Sequence, residues 1–382
     1  MTRQYILLSD DDELITGALS LTLERKGRTV IVCSDLDAAE VALAQFPVTH
    51  LVTDVQFSGE FGFEGLHFLE RMRALSPHTR IVLMTGNASD ALRRNAIEHG
   101  ASQVLAKPFA TTELERALAA DEGGDDAPYE VITIPSIEGI LFGDLLTIAF
   151  QPIVQLTPDG ATTFAYEALT RVQGSWPVGG PTALFDYAER RGKLSELNIA
   201  TMEHAVDQAR ALPKDAQLFI NIDPVTFGHP RLVPALRRAA TRAGIALERI
   251  VLEVTERCGL GEGIGDGVFD ELRASGVRFA LDDHNSAYSH LMHIGRIRPS
   301  FIKISNVFGT AFEEDPTRRR IVHNTIALAR DFGCEPILEG IETGATVRAA
   351  LEEGVRFGQG FHFSRARAAA HWSGAKAAAW AA

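Results

Sequence analysis

The sequence has few cysteines and no long apolar run. Cys33, Cys258 and Cys334 lie far apart in the 382 residues, without a CxxC or Cys/His spacing. This excludes a disulfide framework and a cysteine-based zinc site, and it predicts three buried thiols. The apolar stretches are short and interrupted, and "MTRQYILLSDDD" at the N terminus is no charged-then-apolar signal segment. We therefore expect a cytoplasmic protein without membrane spans.

Positive charge is also scarce, because 37 Lys and Arg residues face 50 Asp and Glu residues, a formal net charge of −13. Nonspecific binding to nucleic acid or to an anionic membrane depends on counterion release from a basic face, which this composition does not supply. We expect neither a nucleic-acid partner nor a membrane partner. An anionic substrate would need metal ions or local Arg and Lys to offset the repulsion.

The length and the 46% apolar share predict two domains, each with its own core. The stretch "DEGGDDAPYE", residues 121–130, combines paired glycines, acids and a proline that cannot build a packed element. We predict a first domain over 1–121, a linker over 122–139 and a second domain over 140–382. Extension of the helical stretch "TTELERALAADE" into the linker is an open alternative, and it would stiffen the connection.

In the first domain, apolar strands alternate with helical stretches. The predicted strands are "YILLS", "TVIVCS", "HLVTD", "RIVLMTG" and "SQVLAKP". This alternation predicts a doubly wound parallel α/β sheet with functional groups at the carboxyl ends of the strands. Those ends carry Asp10, Asp11, Asp54, Thr85 and Lys107. A single acid there is commonly a helix cap, but this set has acids for a divalent cation, a nucleophilic carboxylate, and a hydroxyl and an ammonium for phosphoryl oxygens.

The first 120 residues resemble the receiver domain of two-component response regulators, which has a flavodoxin-like fold. The resemblance implies that Asp54 is the phosphoacceptor, that Asp10 and Asp11 hold one Mg²⁺, and that a sensor histidine kinase or another phosphodonor is a partner. It also implies that Thr85 and Lys107 contact the phosphoryl group.

The sequence departs from the receiver pattern in two places. Phe57 and Ser58 stand where the family has Met-Pro, and Val104 stands at the aromatic switch position three residues before the lysine. These departures leave phosphorylation possible and change how it is signalled onward.

The second domain repeats one device, an apolar strand that ends in a polar residue. The polar residues at these strand ends are Glu167, Asn221, Glu253, Glu256, Asp282, Asp283, Lys303, Glu339, Glu342 and Gln359. Helical stretches lie between the strands, so the pattern predicts a TIM-like (β/α)8 barrel whose active site collects these side chains. One such acid alone would more often be a helix cap or a surface ion pair. Seven strand ends together favour a site.

This ring of side chains is rich in carboxylates, contains amide oxygen and has no thiolate. Such ligands suit hard divalent cations, Mg²⁺ or Mn²⁺, and the ring is large enough for two. Two metal ions about 4 Å apart activate water and stabilise the leaving oxygen of a phosphodiester. The lysine would neutralise phosphate charge or orient the water.

The motifs then match a family. In chain order they are "AFQPIV", "YEALTR", "FINIDP", "LEVTE", "ALDD", "FIKI", "LEGIET" and "GQGF". Over residues 140–366 they resemble EAL-domain cyclic di-GMP phosphodiesterases, which convert cyclic di-GMP to linear pGpG. The resemblance implies one metal ion on Glu167, Asn221, Glu253 and Asp282, and a second on Asp282, Asp283 and Glu339. It implies that Glu339 and Lys303 position or deprotonate water, that Glu342 supports the site, and that Gln151, Arg171 and Gln359 contact the nucleotide.

Two departures keep a second function open. After the Asp pair the family has Phe-Gly-Thr-Gly-Tyr-Ser-Ser, whereas residues 284–290 read "HNSAYSH" without either glycine. Ser305 stands where the family has an acid two residues after the lysine. We expect a homodimeric phosphodiesterase modulated by phosphorylation of Asp54. The alternative is a weak or silent domain that acts as a cyclic di-GMP receptor or an interaction module. An unrelated barrel hydrolase ranks last, because it leaves "QPIV" and "EALTR" unexplained.

Overall fold

The computed structural model describes residues 3–54, 64–86, 88–118, 127–173, 180–254, 267–282, 294–373 and 379–380. The chain forms two compact units, which are described separately. The first contains residues 1–145 and 172–193, and the second contains residues 146–171 and 194–382. Within the described ranges, no helix has the length and apolar character needed to cross a membrane.

A six-stranded parallel sheet forms the first unit, in the order β5-β4-β3-β1-β2-β6. Its strands are β1 (Gln4–Ser9), β2 (Arg28–Cys33), β3 (His50–Asp54), β4 (Arg80–Thr85), β5 (Gln103–Ala106) and β6 (Glu130–Ile134). Its helices are α1 (Glu13–Thr22), α2 (Leu36–Gln45), α3 (Glu64–Leu75), α4 (Asp90–Glu98), α5 (Thr111–Leu118), α6 (Ile137–Phe142) and α7 (Gly180–Arg190). The apolar strands are buried on both faces, as a parallel sheet covered by helices requires. The predicted doubly wound sheet is confirmed.

Part of the segment predicted as a linker is strand β6. It pairs in parallel with β2 from Thr29 opposite Glu130 to Cys33 opposite Ile134. The hydroxyl of Tyr129, just before the strand, donates a hydrogen bond to the carbonyl oxygen of Ser20 on α1. The run of β-branched residues after the acidic, glycine-rich stretch explains the strand. The predicted limits of the two domains stay a prediction.

An ion pair between a buried arginine on β2 and a partly exposed glutamate on α5 joins these two elements. Arg28, 3% exposed, donates to both carboxylate oxygens of Glu115 at 2.8 and 2.9 Å. The hydrogen bonds from Arg28 lower the pKa of Glu115. A depressed folded-state pKa contributes stability above the unfolded pKa, and that stability is lost as the pH falls through the folded value.

We expect Glu115→Gln to lower the free energy of unfolding by about 1–2 kcal/mol at neutral pH, because a buried guanidinium loses its charged partner. Urea titrations between pH 3 and 7 would measure this. The difference from the parent should shrink toward the acidic end of this range, as Glu115 of the parent takes up a proton. A deficit that is constant over this range would contradict the assignment.

The second unit is a closed barrel of eight strands, because β7 pairs with both β14 and β8. The strands are β7 (Leu146–Thr157), β8 (Gly160–Val172), β9 (Gln217–Ile222), β10 (Ile250–Val254), β11 (Arg278–Leu281), β12 (Phe301–Ile304), β13 (Glu335–Leu338) and β14 (Phe357–Gly358). Strands β8 to β14 run parallel, and β7 is antiparallel to β14. The short strands β15 (Arg367–Ala368) and β16 (Ala379–Trp380) pair with β7 and β8. The predicted barrel is confirmed.

Helices cover the outside of the barrel. They are α8 (Leu194–Ala209), α9 (Leu232–Ala243), α10 (Gly267–Ala274), α11 (Asn306–Gly309), α12 (Pro316–Asp331), α13 (Gly344–Glu352) and α14 (Ala369–Trp372). Two 3-10 helices span Pro224–Gly228 and Leu247–Arg249. The apolar faces of α8, α9 and α10 pack on β9, β10 and β11 in one buried cluster. Those of α12 and α13 pack on β12 and β13 in another.

One apolar side chain from each of the eight strands forms a packed layer of its own. The members are Ile153, Ala165, Phe219, Val251, Ala280, Phe301, Ile337 and Phe357, all at most 5% exposed. Side chains alternate between the two faces of a strand, so the residue two positions further along each strand faces the same way. The layer therefore predicts which side chains come next at the mouth of the barrel.

Candidate active site

The next layer, two residues toward the carboxyl ends of β8 to β14, is polar at every strand. Counted from the apolar layer, it consists of Glu167, Asn221, Glu253, Asp282, Lys303, Glu339 and Gln359. On the antiparallel strand β7, the same end of the barrel is reached two residues earlier, at Gln151. Every one of these positions was predicted from the strand-end pattern or the family resemblance. The period of two carries each side chain to the mouth of the barrel.

Lys303 lies at the centre of this polar layer and is 1% exposed. Its Nζ is 2.8 Å from Glu339 Oε1, 3.1 Å from Glu253 Oε1, and 3.3 Å from both Glu167 Oε2 and Asp282 Oδ1. Four carboxylates from four strand ends thus share one ammonium. Burying so many charged groups is costly unless they compensate one another, so this arrangement indicates a site rather than a packing solution.

Two amides hold Glu167. Asn221 Nδ2 donates to Glu167 Oε1 at 3.0 Å, and Gln359 Nε2 donates to Glu167 Oε2 at 2.6 Å. Burial would raise the pKa of Glu167, but Lys303 and the two amides hold it below its usual range. Glu167 is therefore ionised and fixed in orientation.

Glu253 and Glu339 behave in the opposite way. Burial, together with the neighbouring carboxylates, raises the pKa of Glu253 well above its usual value. Burial likewise raises the pKa of Glu339 to about 7. Burial opposes the charge on Lys303, yet the four carboxylates raise its pKa above the usual range. The cluster thus combines a protonated lysine, a glutamate whose pKa is lowered, Glu167, and two glutamates whose pKa values are raised, Glu253 and Glu339.

The donor set fits a divalent cation. Glu253 is fully buried, and apart from the Lys303 ammonium 3.1 Å from Oε1, its oxygens have no hydrogen-bond donor among the described residues. It lies directly opposite Asn221 in the pairing of β9 with β10. Carboxylate and amide oxygens are the ligands that Mg²⁺ and Mn²⁺ prefer. Among the described residues, no three acidic, histidine or cysteine side chains enclose an ion by themselves, and the Lys303 ammonium lies between the carboxylates.

A cleft of about 200 Å³ opens beside this cluster. Its lining residues are Gln151, Glu167, Leu169, Asn306, Thr310, Glu339, Gly340, Glu342, Gln359, Gly360 and Phe361. The predicted Gln151, Glu342 and Gln359 are thus in the same cleft as the predicted Glu167 and Glu339. Arg171 does not line this cleft, and its guanidinium donates to the carbonyl oxygen of Thr170 at 2.8 Å. Burial lowers the pKa of Arg171, and the charge of the nearby Glu167 opposes that effect.

Six of the lining residues were not predicted as site residues, namely Leu169, Asn306, Thr310, Gly340, Gly360 and Phe361. Asn306 and Thr310 belong to or follow α11, whose N-cap is Ser305. The Ser305 hydroxyl accepts a hydrogen bond from Val307 N at 3.5 Å, so the residue that replaces the family acid begins this helix. The Ser-Asn pair after an apolar strand is a recognisable helix start that could have revealed it. Gly340 and Phe361 carry no comparable signal.

Some predictions fall outside the described residues. They are Asp283, Glu256, Phe57, Ser58, the stretch 284–290 and Cys258. Of the other cysteines, Cys33 and Cys334 are buried free thiols, as predicted.

The first unit brings three of its predicted site residues together. Lys107 Nζ lies 2.6 Å from Asp10 Oδ2 and 2.6 Å from Asp54 Oδ2, at the carboxyl edge of the sheet. Burial opposes the charge on Lys107, but its bonds to Asp10 and Asp54 raise its pKa. Thr85 is buried at the end of β4, and its carbonyl oxygen accepts a hydrogen bond from Lys107 N. Asp11 is exposed at the same edge, and Val104 is buried in β5.

The sequence matches the EAL domain family over residues 141–366, and it matches the response regulator receiver domain over residues 6–119. The chain belongs to the EAL domain family. Its N-terminal part is a receiver domain. The EAL match includes the whole barrel cluster around Lys303, and the receiver match includes Asp10, Asp54 and Lys107.

Two curated relatives contain this EAL domain in different settings. The bifunctional diguanylate cyclase/cyclic di-GMP phosphodiesterase MucR of Pseudomonas aeruginosa is 28% identical over 228 residues, which are 58% of this chain and 33% of that protein. The cyclic di-GMP phosphodiesterase RocR of the same species is 25% identical over 379 residues, 93% of this chain and 94% of that protein. The chain thus spans a third of MucR, whereas it matches RocR over nearly its full length.

A solved structure shares the barrel. The manganese and cyclic di-GMP complex of Klebsiella pneumoniae BlrP1 superposes with a TM-score of 0.51 and is 27% identical, over 60% of this chain and 58% of that chain.

Proposed function

We propose that this protein is a response regulator that hydrolyses one phosphodiester bond of cyclic di-GMP to give linear pGpG. The observation that carries the proposal is the single buried ammonium of Lys303 within 3.3 Å of four carboxylates, beside a cleft of about 200 Å³. The names of MucR, RocR and BlrP1 support the substrate class.

The proposed ligands of a first divalent cation, Mg²⁺ or Mn²⁺, are Glu167, Asn221, Glu253 and Asp282. The proposed ligands of a second are Asp282, Asp283 and Glu339, and a third ion belongs in the receiver domain on Asp10 and Asp11. The manganese complex of BlrP1 supports the use of divalent ions. When bound, such ions lower the pKa of water and stabilise negative charge on the phosphate oxygens.

The side chains then have separate roles. Glu339, whose burial raises its pKa to about 7, accepts the proton of the attacking water. The water oxygen bonds to phosphorus, the bond from phosphorus to the 3′ oxygen breaks, and that oxygen takes up a proton. Lys303 holds Glu339 at 2.8 Å and offsets the charge of the phosphate. Gln151, Gln359 and Arg171 contact the nucleotide, and Glu342 at the rim of the cleft supports the site.

The test is chromatographic measurement of cyclic di-GMP turnover in Mg²⁺ and in Mn²⁺, for the parent and for Glu167→Gln. The substitution keeps the size of the side chain but removes the negative charge, and the single amide oxygen can accept from only one of Asn221 and Gln359. We expect turnover to fall by at least about 100-fold. Loss of a group that only supports a metal ligand can cost that much, and Glu167 is a proposed ligand itself. The matched control is Glu352→Gln on the exposed surface of α13, where the carboxylate pairs with Arg319 at 3.1 Å. Equal turnover in the two variants would overturn the proposal.

A second candidate function is a cyclic di-GMP receptor that does not hydrolyse its ligand. The position of Ser305 favours it, because a hydroxyl that caps α11 replaces the family acid two residues from Lys303. Binding of cyclic di-GMP by calorimetry, without formation of pGpG in either metal, would establish this function in place of the first. We also propose a homodimer, for which sedimentation velocity is the test.

A further inference from the structure

The receiver sheet is connected to helix α7 by a continuous chain of contacts, all within the first unit. The chain begins at the proposed phosphoacceptor, where Lys107 bridges Asp54 and Asp10 at 2.6 Å each. The backbone N–H of Asp10 donates to the carbonyl oxygen of Cys33 at 3.3 Å. Cys33 ends β2, so this hydrogen bond connects the Asp54 site with the β2–α2 connection.

The β2–α2 connection is bound in turn to α7. Asp35 caps α2 by accepting a hydrogen bond from Ala38 N at 2.8 Å, and its other carboxylate oxygen accepts one from the Tyr187 hydroxyl at 2.6 Å. Tyr187 is fully buried, and its hydroxyl also accepts a hydrogen bond from Ile137 N at 3.1 Å. One hydroxyl thus ties together α2, α6 and α7.

Ion pairs fix the same helix on α2. Arg190 lies 2.8 Å from Glu40, and Arg191 lies 3.6 Å from Asp37. Glu40 is buried and its partner on α7 is half exposed, so this contact is more than a surface pair. Helix α7 is therefore held by a buried hydroxyl and by two charged contacts.

Helix α7 belongs to the EAL match, and it follows directly in the chain after β8. Strand β8 ends at Val172 and carries Glu167 and Arg171, and the segment 172–193 belongs to the receiver unit before the chain returns to the barrel at residue 194. Gly180, where α7 begins, thus follows Glu167 by thirteen positions in the same stretch of chain.

We propose that Tyr187 is a positioning residue that couples the state of Asp54 to the carboxyl end of β8. This proposal rests on the proposed function and says how that activity is regulated. Transfer of the phosphoryl group of acetyl phosphate to Asp54 releases acetate and gives the Asp54 carboxylate a new substituent beside Lys107. The contacts through Asp10, Cys33 and Asp35 carry the change to Tyr187 and α7, and β8 then shifts Glu167.

The test uses the full chain, with and without acetyl phosphate in Mg²⁺, and compares the parent with Tyr187→Phe. The variant keeps the buried ring and loses the shared hydroxyl. The matched control is Tyr129→Phe in the same unit. It removes the hydroxyl that donates a hydrogen bond to the carbonyl oxygen of Ser20 on α1. Asp54→Asn reports any effect of acetyl phosphate that does not pass through Asp54.

Two readouts separate this proposal from the proposed function. Amide hydrogen exchange of residues 180–193 reports the coupling without turnover, and kcat and KM for cyclic di-GMP report its effect on the site. In the parent and in Tyr129→Phe we expect acetyl phosphate to change both the exchange rate and kcat by about 5-fold or more, the low end of allosteric couplings. In Tyr187→Phe and Asp54→Asn we expect acetyl phosphate to leave both the exchange rate and kcat nearly unchanged.

A response of Tyr187→Phe equal to that of the parent, or α7 exchange that ignores acetyl phosphate in the parent, would overturn the coupling. If no variant turns over cyclic di-GMP, the proposed function fails while hydrogen exchange still decides the coupling. Should Tyr187→Phe not fold, Asp35→Asn interrupts the same bond from the other side. Asparagine remains a good helix cap there, but it lacks the second carboxylate oxygen that accepts from Tyr187.

Discussion

Lys303→Met is expected to abolish cyclic di-GMP turnover and to lower the free energy of unfolding by about 3–5 kcal/mol at pH 8, the usual cost of leaving buried charges without their partner. Methionine fills a similar volume but leaves four carboxylates, from Glu167, Glu253, Asp282 and Glu339, without the ammonium that lies within 3.3 Å of each. Urea titration in the presence of EDTA measures the stability, and chromatography measures the turnover.

The stability loss in Lys303→Met should depend on pH. In the parent, burial already raises the pKa of Glu339 to about 7, and it raises the pKa of Glu253 as well. Removal of the cation raises both further. A carboxyl group with a raised folded-state pKa stabilises the fold fully below its unfolded pKa, and this contribution is lost as the pH rises through the folded value. The deficit relative to the parent should therefore be small near pH 5 and largest above pH 7.

The matched control is Lys214→Met, at an exposed lysine of the barrel unit. It should leave turnover and stability close to those of the parent at every pH. If Lys303→Met shows the same deficit at pH 5 and at pH 8, the carboxylates are not the groups that the ammonium compensates. If it retains the turnover of Lys214→Met, Lys303 has no part in the reaction.

Gly309→Ala is expected to impair the site through the backbone. A Cβ atom at Gly309 would lie 1.8 Å from the carbonyl oxygen of Glu339 and 3.2 Å from the side chain of Leu338, so the peptide of Glu339 must move. A displacement of about 1 Å at a reacting group can cost 100-fold in rate, and overpacking a core costs about 1–3 kcal/mol. We expect kcat for cyclic di-GMP to fall by about that factor and the urea midpoint to fall with it.

Gly344→Ala is the matched control for that substitution. It lies at the start of α13, and its nearest neighbour would be Arg348 Nη1 at 3.6 Å, an ordinary contact. This variant should keep the parent kcat and a similar or slightly higher stability, because alanine favours the helix. A Gly309→Ala enzyme with the same kcat as Gly344→Ala would show that the peptide relaxes without moving the Glu339 carboxylate.

The barrel and its site were largely predictable because strands have a period of two. Glu167, Asn221, Glu253 and Lys303 each stand two residues after an apolar residue of the interior layer. Each of several strands of the barrel carries an apolar run that ends in a buried polar residue. These polar side chains therefore meet at the mouth of the barrel. The same reasoning placed Asp10, Asp54 and Lys107 at one edge of the receiver sheet, where the structure brings them together.

Contacts between residues distant in sequence were not predictable in this way. Nothing local marks Glu130–Ile134 as a partner of β2, because pairing depends on an open sheet edge. Nothing near Tyr187 in sequence indicates Asp35, 152 residues away. In the sequence nothing distinguishes Gly309, the last residue of α11, from other glycines, and only the fold brings Glu339 against it.

The sequence by itself determined the two folds, the oxygen-rich side chains and the lysine at the mouth of the barrel, since hydrophobic periodicity and strand ends are local properties of the chain. Only the tertiary structure decided that Lys303 lies among four carboxylates, that their pKa values diverge, and that α7 is bound to the receiver unit. Charge compensation and burial depend on which side chains the closed barrel and the packed sheet bring within a few ångströms of one another. The spacing of residues in the sequence does not give those distances between side chains.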